Sequence, residues 1–77
     1  MIYRLMRCYY SRSRRGFVLD LYNSNIGRGL ELFYYRPDWT IGKAQRMHNS
    51  IYKYSENGDI KTLTEWDKIF TDFEGVI

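Results

Sequence analysis

FVLDLYNSNIGRGLELFYYR, residues 17–36, decides the fold. Residues 17–22 alternate, with Phe17, Leu19 and Leu21 on one face. Residues 30–36 alternate again, Leu30, Leu32 and Tyr34 on one face and Glu31, Phe33 and Tyr35 on the other. A period of two marks a strand with one buried side. Between the two runs, NSNIGRG at 23–29 holds two Asn and two Gly, the composition of a turn. Pro37 stops the second strand, because proline has no amide to donate to a ladder. Upstream, residues 1–10 are rich in bulky and aromatic side chains, and SRSRRG at 11–16 is a polar turn ending in glycine. Short connections favour antiparallel neighbours, so the expectation is a three-stranded antiparallel meander.

The second half reads as helical. After Asp38, apolar positions fall at Ile41, Ala44, Met47 or His48, Ile51 and Tyr52, which is helical spacing. Ala44, Gln45, Arg46 and Met47 are good helix formers and carry the helix to about residue 55. Asn57-Gly58 would close it in a left-handed cap. The same dipeptide, flanked by residues 51–56 and 59–64, also spells a type I′ hairpin. Thr62, Leu63, Thr64 and Glu65 form a capping box. Leu63, Trp66, Ile69, Phe70 and Phe73 then make an apolar stripe, and Gly75 supplies the stop. The expected class is α+β: one small two-layer domain over residues 1–77, with the sheet followed by two helices packed on one face. Trp66, Ile69, Phe70 and Phe73 would form one side of the core. In element order this is similar to the arm-binding domain of tyrosine integrases, a three-stranded sheet followed by a helix.

Charge and aromatic content are polarised along the chain. The first 36 residues carry seven arginines, no lysine, and only Asp20 and Glu31 as acids, a formal +5; residues 37–77 hold five bases and seven acids, a formal −2. Six of the eight tyrosines lie in the basic part. A chain of 77 residues buries only about 60% of its unfolded surface. Its core must therefore be dense, and the 18% aromatic content is high enough to make it so. Cys8 is the lone cysteine, which excludes an internal disulfide; with His48 as the lone histidine, a zinc site would need several carboxylates. No cofactor motif is present. Arg4 and Arg7 interrupt the N-terminal apolar run, so no secretory h-region is expected, and no stretch approaches a membrane span. Those features fit a reducing cytoplasm.

Few residues recommend themselves for chemistry. Cys8 is expected in a strand beside Ile2 and Met6, acting as a small buried apolar group rather than a nucleophile. His48 is expected at the edge of a helix's apolar stripe. Asp67, Asp72 and Glu74 are not spaced to converge on a helix face, and read as its solvated side. Gly27-Arg28-Gly29 is too short for a phosphate loop. In composition the chain resembles small basic ribonucleases of the messenger-cleaving toxin kind, which use arginine, lysine and tyrosine. Those toxins begin with helices, whereas this chain begins with strands.

The basic aromatic part is the stronger signal. With Phe17, Leu19, Leu21, Leu30, Leu32 and Tyr34 turned to the helices, the opposite sheet face shows Tyr22, Phe33 and Tyr35, joined by Arg7 and Tyr9 or by Arg4 and Tyr10 according to register. Arg12, Arg14, Arg15, Tyr22, Arg28, Phe33, Tyr35 and Arg36 are the expected partner-binding residues. Arginine and tyrosine offer planar contact surfaces at low entropic cost, and both are enriched at binding hot spots. The expectation is a non-catalytic module that binds another protein. In size and tyrosine-rich texture it resembles accessory proteins with which bacteriophages bind and inhibit host machinery. Single-stranded nucleic acid is the alternative, because bases stack on rings and phosphates pair with arginines. No RNA-recognition signature motif accompanies that surface. A weak homodimer is also expected, the acidic last segment meeting the arginine half of a second copy.

Overall fold

A computed structural model describes all 77 residues. Three antiparallel strands, β1 (Tyr3–Ser11), β2 (Gly16–Asn23) and β3 (Arg28–Tyr35), lead into α1 (Ile41–Asn57). A two-residue strand, β4 (Ile60–Lys61), precedes α2 (Leu63–Glu74). The sheet order is β3-β2-β1-β4, so the α+β class, the meander and the two helices stand as expected, with one short strand added. β4 pairs through Tyr3–Lys61 and Arg4–Ile60. Two residues between a helix cap and the next N-cap carry no periodicity, which is why the sequence pattern does not reveal them.

The helix ends follow their local chemistry. Thr40 caps α1, its hydroxyl accepting from the Lys43 amide at 3.1 Å. Gly58 ends it with φ +71°, in the left-handed conformation that glycine adopts without steric cost. The helix thus takes Asn57-Gly58 as its terminus, and the hairpin alternative is not formed. Thr62 and Glu65 make the capping box in full: the Glu65 amide donates to the Thr62 hydroxyl at 3.2 Å, and the Glu65 carboxylate accepts from the Thr62 amide at 2.8 Å.

Between sheet and helices, Tyr3, Leu5 and Cys8 of β1, Phe17, Leu19 and Leu21 of β2, Met47 and Ile51 of α1, and Trp66 and Phe70 of α2 form the core. Ile69 and Phe73 pack on its margin. The rings of Tyr34 and Trp39 stack on Phe70, Tyr34 lying parallel to it at 3.7 Å between centroids, and Phe17 meets Trp39 and Phe70 at a tilt. α1 buries Met47 and Ile51, with Ala44 and Tyr54 half-buried on the same side. Ile41 and Tyr52, expected on the apolar stripe, are exposed instead.

One irregularity decides which β1 side chains face outward. Leu5 pairs with Leu21 but Arg7 with Asp20, so Met6 is the extra residue of a β-bulge. The bulge resets the alternation. Tyr3 and Leu5 face the helices before it, Cys8 and Tyr10 after it. Cys8 is buried as expected, whereas Met6 and Ile2 of the same N-terminal run are exposed. The two registers considered from sequence are both partly realised: Arg4, Arg7 and Tyr9 lie outside, and Tyr10 lies inside.

Candidate functional site

The outer sheet face is a set of cross-strand rows. Arg4, Tyr22 and Gly29 form one, followed by Arg7, Asp20 and Glu31, then Tyr9, Val18 and Phe33, then Ser11, Gly16 and Tyr35. Val18, flanked in register by Tyr9 and Phe33, is completely buried although it faces away from the helices. Arginines of the same chain roof this row. Arg7 lies 4.8 Å from the Tyr9 ring centre and pairs with Asp20 at 2.6 Å. Arg14 reaches back from the β1–β2 turn to lie 4.2 Å from the Phe33 ring centre, and pairs with Glu31 at 2.6 Å. Gly16 makes this possible: a Cβ there would sit 2.5 Å from the Tyr34 carbonyl oxygen and collide with the Phe33 ring.

The eight residues expected to bind a partner do not form one patch. Arg12, Arg14, Arg15, Phe33 and Tyr35 gather at the β1–β2 end of the sheet, where Gly16 pairs with Tyr35. Tyr35 is 56% exposed. Tyr22 and Arg28 sit at the opposite end, beside the β2–β3 turn. Arg36 turns to the helix side, where its guanidinium grips Glu74 through Nε–Oε2 and through Nη2–Oε1 at 2.9 Å. That contact, rather than burial, holds the Glu74 carboxyl below its ordinary range. The acids of α2 are correspondingly engaged. Asp67 accepts from the Tyr34 hydroxyl at 2.7 Å, and Lys68 pairs with Asp72 at 2.7 Å.

A pocket of about 480 Å³ opens between the β1–β2 turn and the first turns of α1. Arg12 and Arg15 stand on one side, Tyr9, Tyr10 and Trp39 line it, and Ile41 and His48 close it from α1. The connection from β3 to α1 shapes it. The Arg36 carbonyl accepts from the Tyr10 hydroxyl at 2.6 Å and from the Trp39 amide at 3.3 Å, which folds Trp39 back over Tyr10. The Arg36 amide donates to the Arg15 carbonyl at 2.9 Å and ties the turn to the same connection. Arg15 is the one non-glycine residue with positive φ, at +58°. Neither Arg12 nor Arg15 has an ion-pair partner, unlike Arg7, Arg14 and Arg36.

Of the two residues weighed for chemistry, Cys8 has its thiol pushed up to about 12 by burial, with Sγ 4.0 Å from the His48 carbonyl oxygen. That environment opposes the thiolate a nucleophile needs. His48 stacks on Tyr52, and its Nδ1 is buried with no hydrogen-bond partner. Sequence reasoning placed Tyr9 on the outer face in one of its two registers, and missed Trp39 and Ile41 as site residues. Trp39 lies between strand and helix signals, and only the Pro37 turn brings it onto the sheet. The chain matches no protein-family model, no curated protein and no solved structure. No helix is long and apolar enough to cross a membrane.

Proposed function

We propose that this protein is a non-catalytic binding module whose partner is another protein, engaged through the β1–β2 end of the outer sheet face. One observation carries the reading: the arginines roofing the Tyr9–Val18–Phe33 row are already neutralised by Asp20 and Glu31. A polyanion is held by free cations whose counterions it replaces, and Arg7, Arg14 and Arg36 are committed within the chain. What the roofed rows still offer is ring faces and guanidinium planes in fixed positions, the material of protein–protein hot spots. The unpaired Arg12 and Arg15 stand at the edge of this surface, beside the α1 pocket. Tyr35 would be an anchor, with Phe33 and Arg14 as its preorganised surround. Inhibition of the partner and a cytoplasmic setting belong to the same proposal. So does a weak homodimer through this face, dissociating as salt rises.

Capture from cell lysate on the immobilised protein, with and without nuclease, tests the reading. The expected result is a discrete protein retained after nuclease and lost with Tyr35→Ala. Recovery of nucleic acid alone, abolished by charge reversal at Arg12, Arg14 and Arg15, would replace it with the nucleic-acid alternative.

A further inference from the structure

Arg12 and Arg15 stand apart from the roofing arginines because nothing in the chain pairs with them. They flank a pocket with no carboxylate among its lining residues. The pocket's volume, about 480 Å³, lies within the roughly 300–1,000 Å³ typical of ligand sites. Ile41 is 80% exposed on its α1 side, an apolar side chain with no cover of its own. Trp39 supplies a broad ring beside it, already stacked on Tyr10. The buried Nδ1 of His48, another lining residue, lacks the partner that buried polar atoms nearly always have. Two unpaired cations and an apolar wall therefore share one concavity, with His48 at its margin. The first turn of α1 adds no acid to oppose a negative charge.

We infer that this pocket receives an acidic side chain with an adjacent apolar residue from the partner protein, the carboxylate between Arg12 and Arg15 and the apolar group against Trp39 and Ile41. The inference deepens the proposed protein-binding function and rests on it. Carboxylate is a planar acceptor that the arginine fork meets with two parallel hydrogen bonds. An apolar neighbour in the same segment explains what Ile41 is left open for, which a bare anion does not. The left-handed Arg15 fits the same account. Glycine would adopt φ +58° without strain, yet a long cation occupies the position and its carbonyl is pinned by Arg36.

The test follows the backbone amide and indole signals of the full chain by NMR while a blocked Asp-Phe tetrapeptide is added, with its Asn-Phe counterpart, inorganic phosphate and a thymidine trinucleotide as separate arms. The expected result is saturable movement of the Trp39 indole and the Ile41 amide by the Asp-Phe peptide, about ten-fold weaker for Asn-Phe. Arg12→Gln with Arg15→Gln should abolish it, while the buried Trp66 indole stays in place and reports that the variant is folded. Equal response to both peptides, response to phosphate or trinucleotide in place of peptide, or no response overturns the inference. So does concentration-dependent movement of the same signals without peptide, because a second copy would then be the occupant. If lysate capture still returns a protein that depends on Tyr35, the binding-module reading survives and only the pocket's role is lost.

Discussion

Replacing Trp66 probes the junction of α2 with the sheet. The side chain is fully buried, its indole Nε1 donates to the Tyr3 carbonyl at 3.0 Å, and Tyr54 meets it edge-on at 5.9 Å between centroids. Truncating a buried Trp to Ala costs about 3–5 kcal/mol. Leaving the Tyr3 carbonyl without its partner adds to this, up to about 1–3 kcal/mol if water does not reach it. A domain of this length has roughly 4–12 kcal/mol in total, scaling per residue. Trp66→Ala should therefore be unfolded or close to it at room temperature. Trp66→Phe keeps most of the ring and should lose about 1–3 kcal/mol, lowering the thermal midpoint by roughly 5–20 °C. Urea titrations followed by circular dichroism measure both, with Trp39 fluorescence as a second probe. A folded Trp66→Ala protein with an unchanged midpoint refutes the reasoning. A Phe variant as damaged as the Ala variant would show that the hydrogen bond, not the filled volume, carries the effect.

Gly16→Ala should destabilise by about 1–3 kcal/mol, because its Cβ must displace the Phe33 ring and press on the Tyr34 carbonyl; an unchanged urea midpoint would mean that Phe33 does not lie over Gly16. Arg15→Gly should raise stability by about 1 kcal/mol by relieving the left-handed conformation, and a lower midpoint would show the side chain to be structurally required. The pH dependence has two limbs. Glu74, held low by the Arg36 hydrogen bonds, stabilises the fold above its unfolded pKa, and that contribution is lost as pH falls through its depressed folded value. Tyr34, raised chiefly by burial and then by its hydrogen bond to Asp67, contributes fully below the unfolded value of about 10 and loses that contribution as pH rises through its higher folded value. Thermal midpoints across pH should show both limbs. Glu74→Gln should shrink the acid one and leave the alkaline one unchanged, the remainder of the acid limb coming from Glu65, whose carboxyl is held low by its hydrogen bond from the Thr62 amide.

Much of this architecture is legible in the chain because its signals are local. Alternation at 17–22 and 30–36 fixes two strands, and the four residues from Thr62 to Glu65 fix the start of α2. The β-bulge at Met6 is different: it is a property of pairing, since nothing in the order of residues 1–10 marks where β1 gains a residue on β2. It determines that Arg7 and Tyr9 share the outer face. The same holds for charge. Arg14 and Arg15 are neighbours in an arginine-rich turn, yet one folds back to Glu31 and the other stays unpaired beside the pocket. Arg36 shows the limit most plainly, since its partner Glu74 lies at the far end of the last helix. Composition identifies a surface rich in arginine and tyrosine; tertiary contacts divide it into spent and free charge.

The salt and side-chain dependence of the captured complex tests the central claim most directly. Binding kinetics at roughly 50 and 200 mM salt should differ by a few-fold at most in affinity, the association rate taking most of the change as steering is screened. Tyr35→Ala at either salt should weaken the complex by about ten-fold or more through faster dissociation. A fall of about three decades or more between the two salts, with Tyr35→Ala binding as well as the parent, would mean that the surface is a polyanion site and would contradict the account.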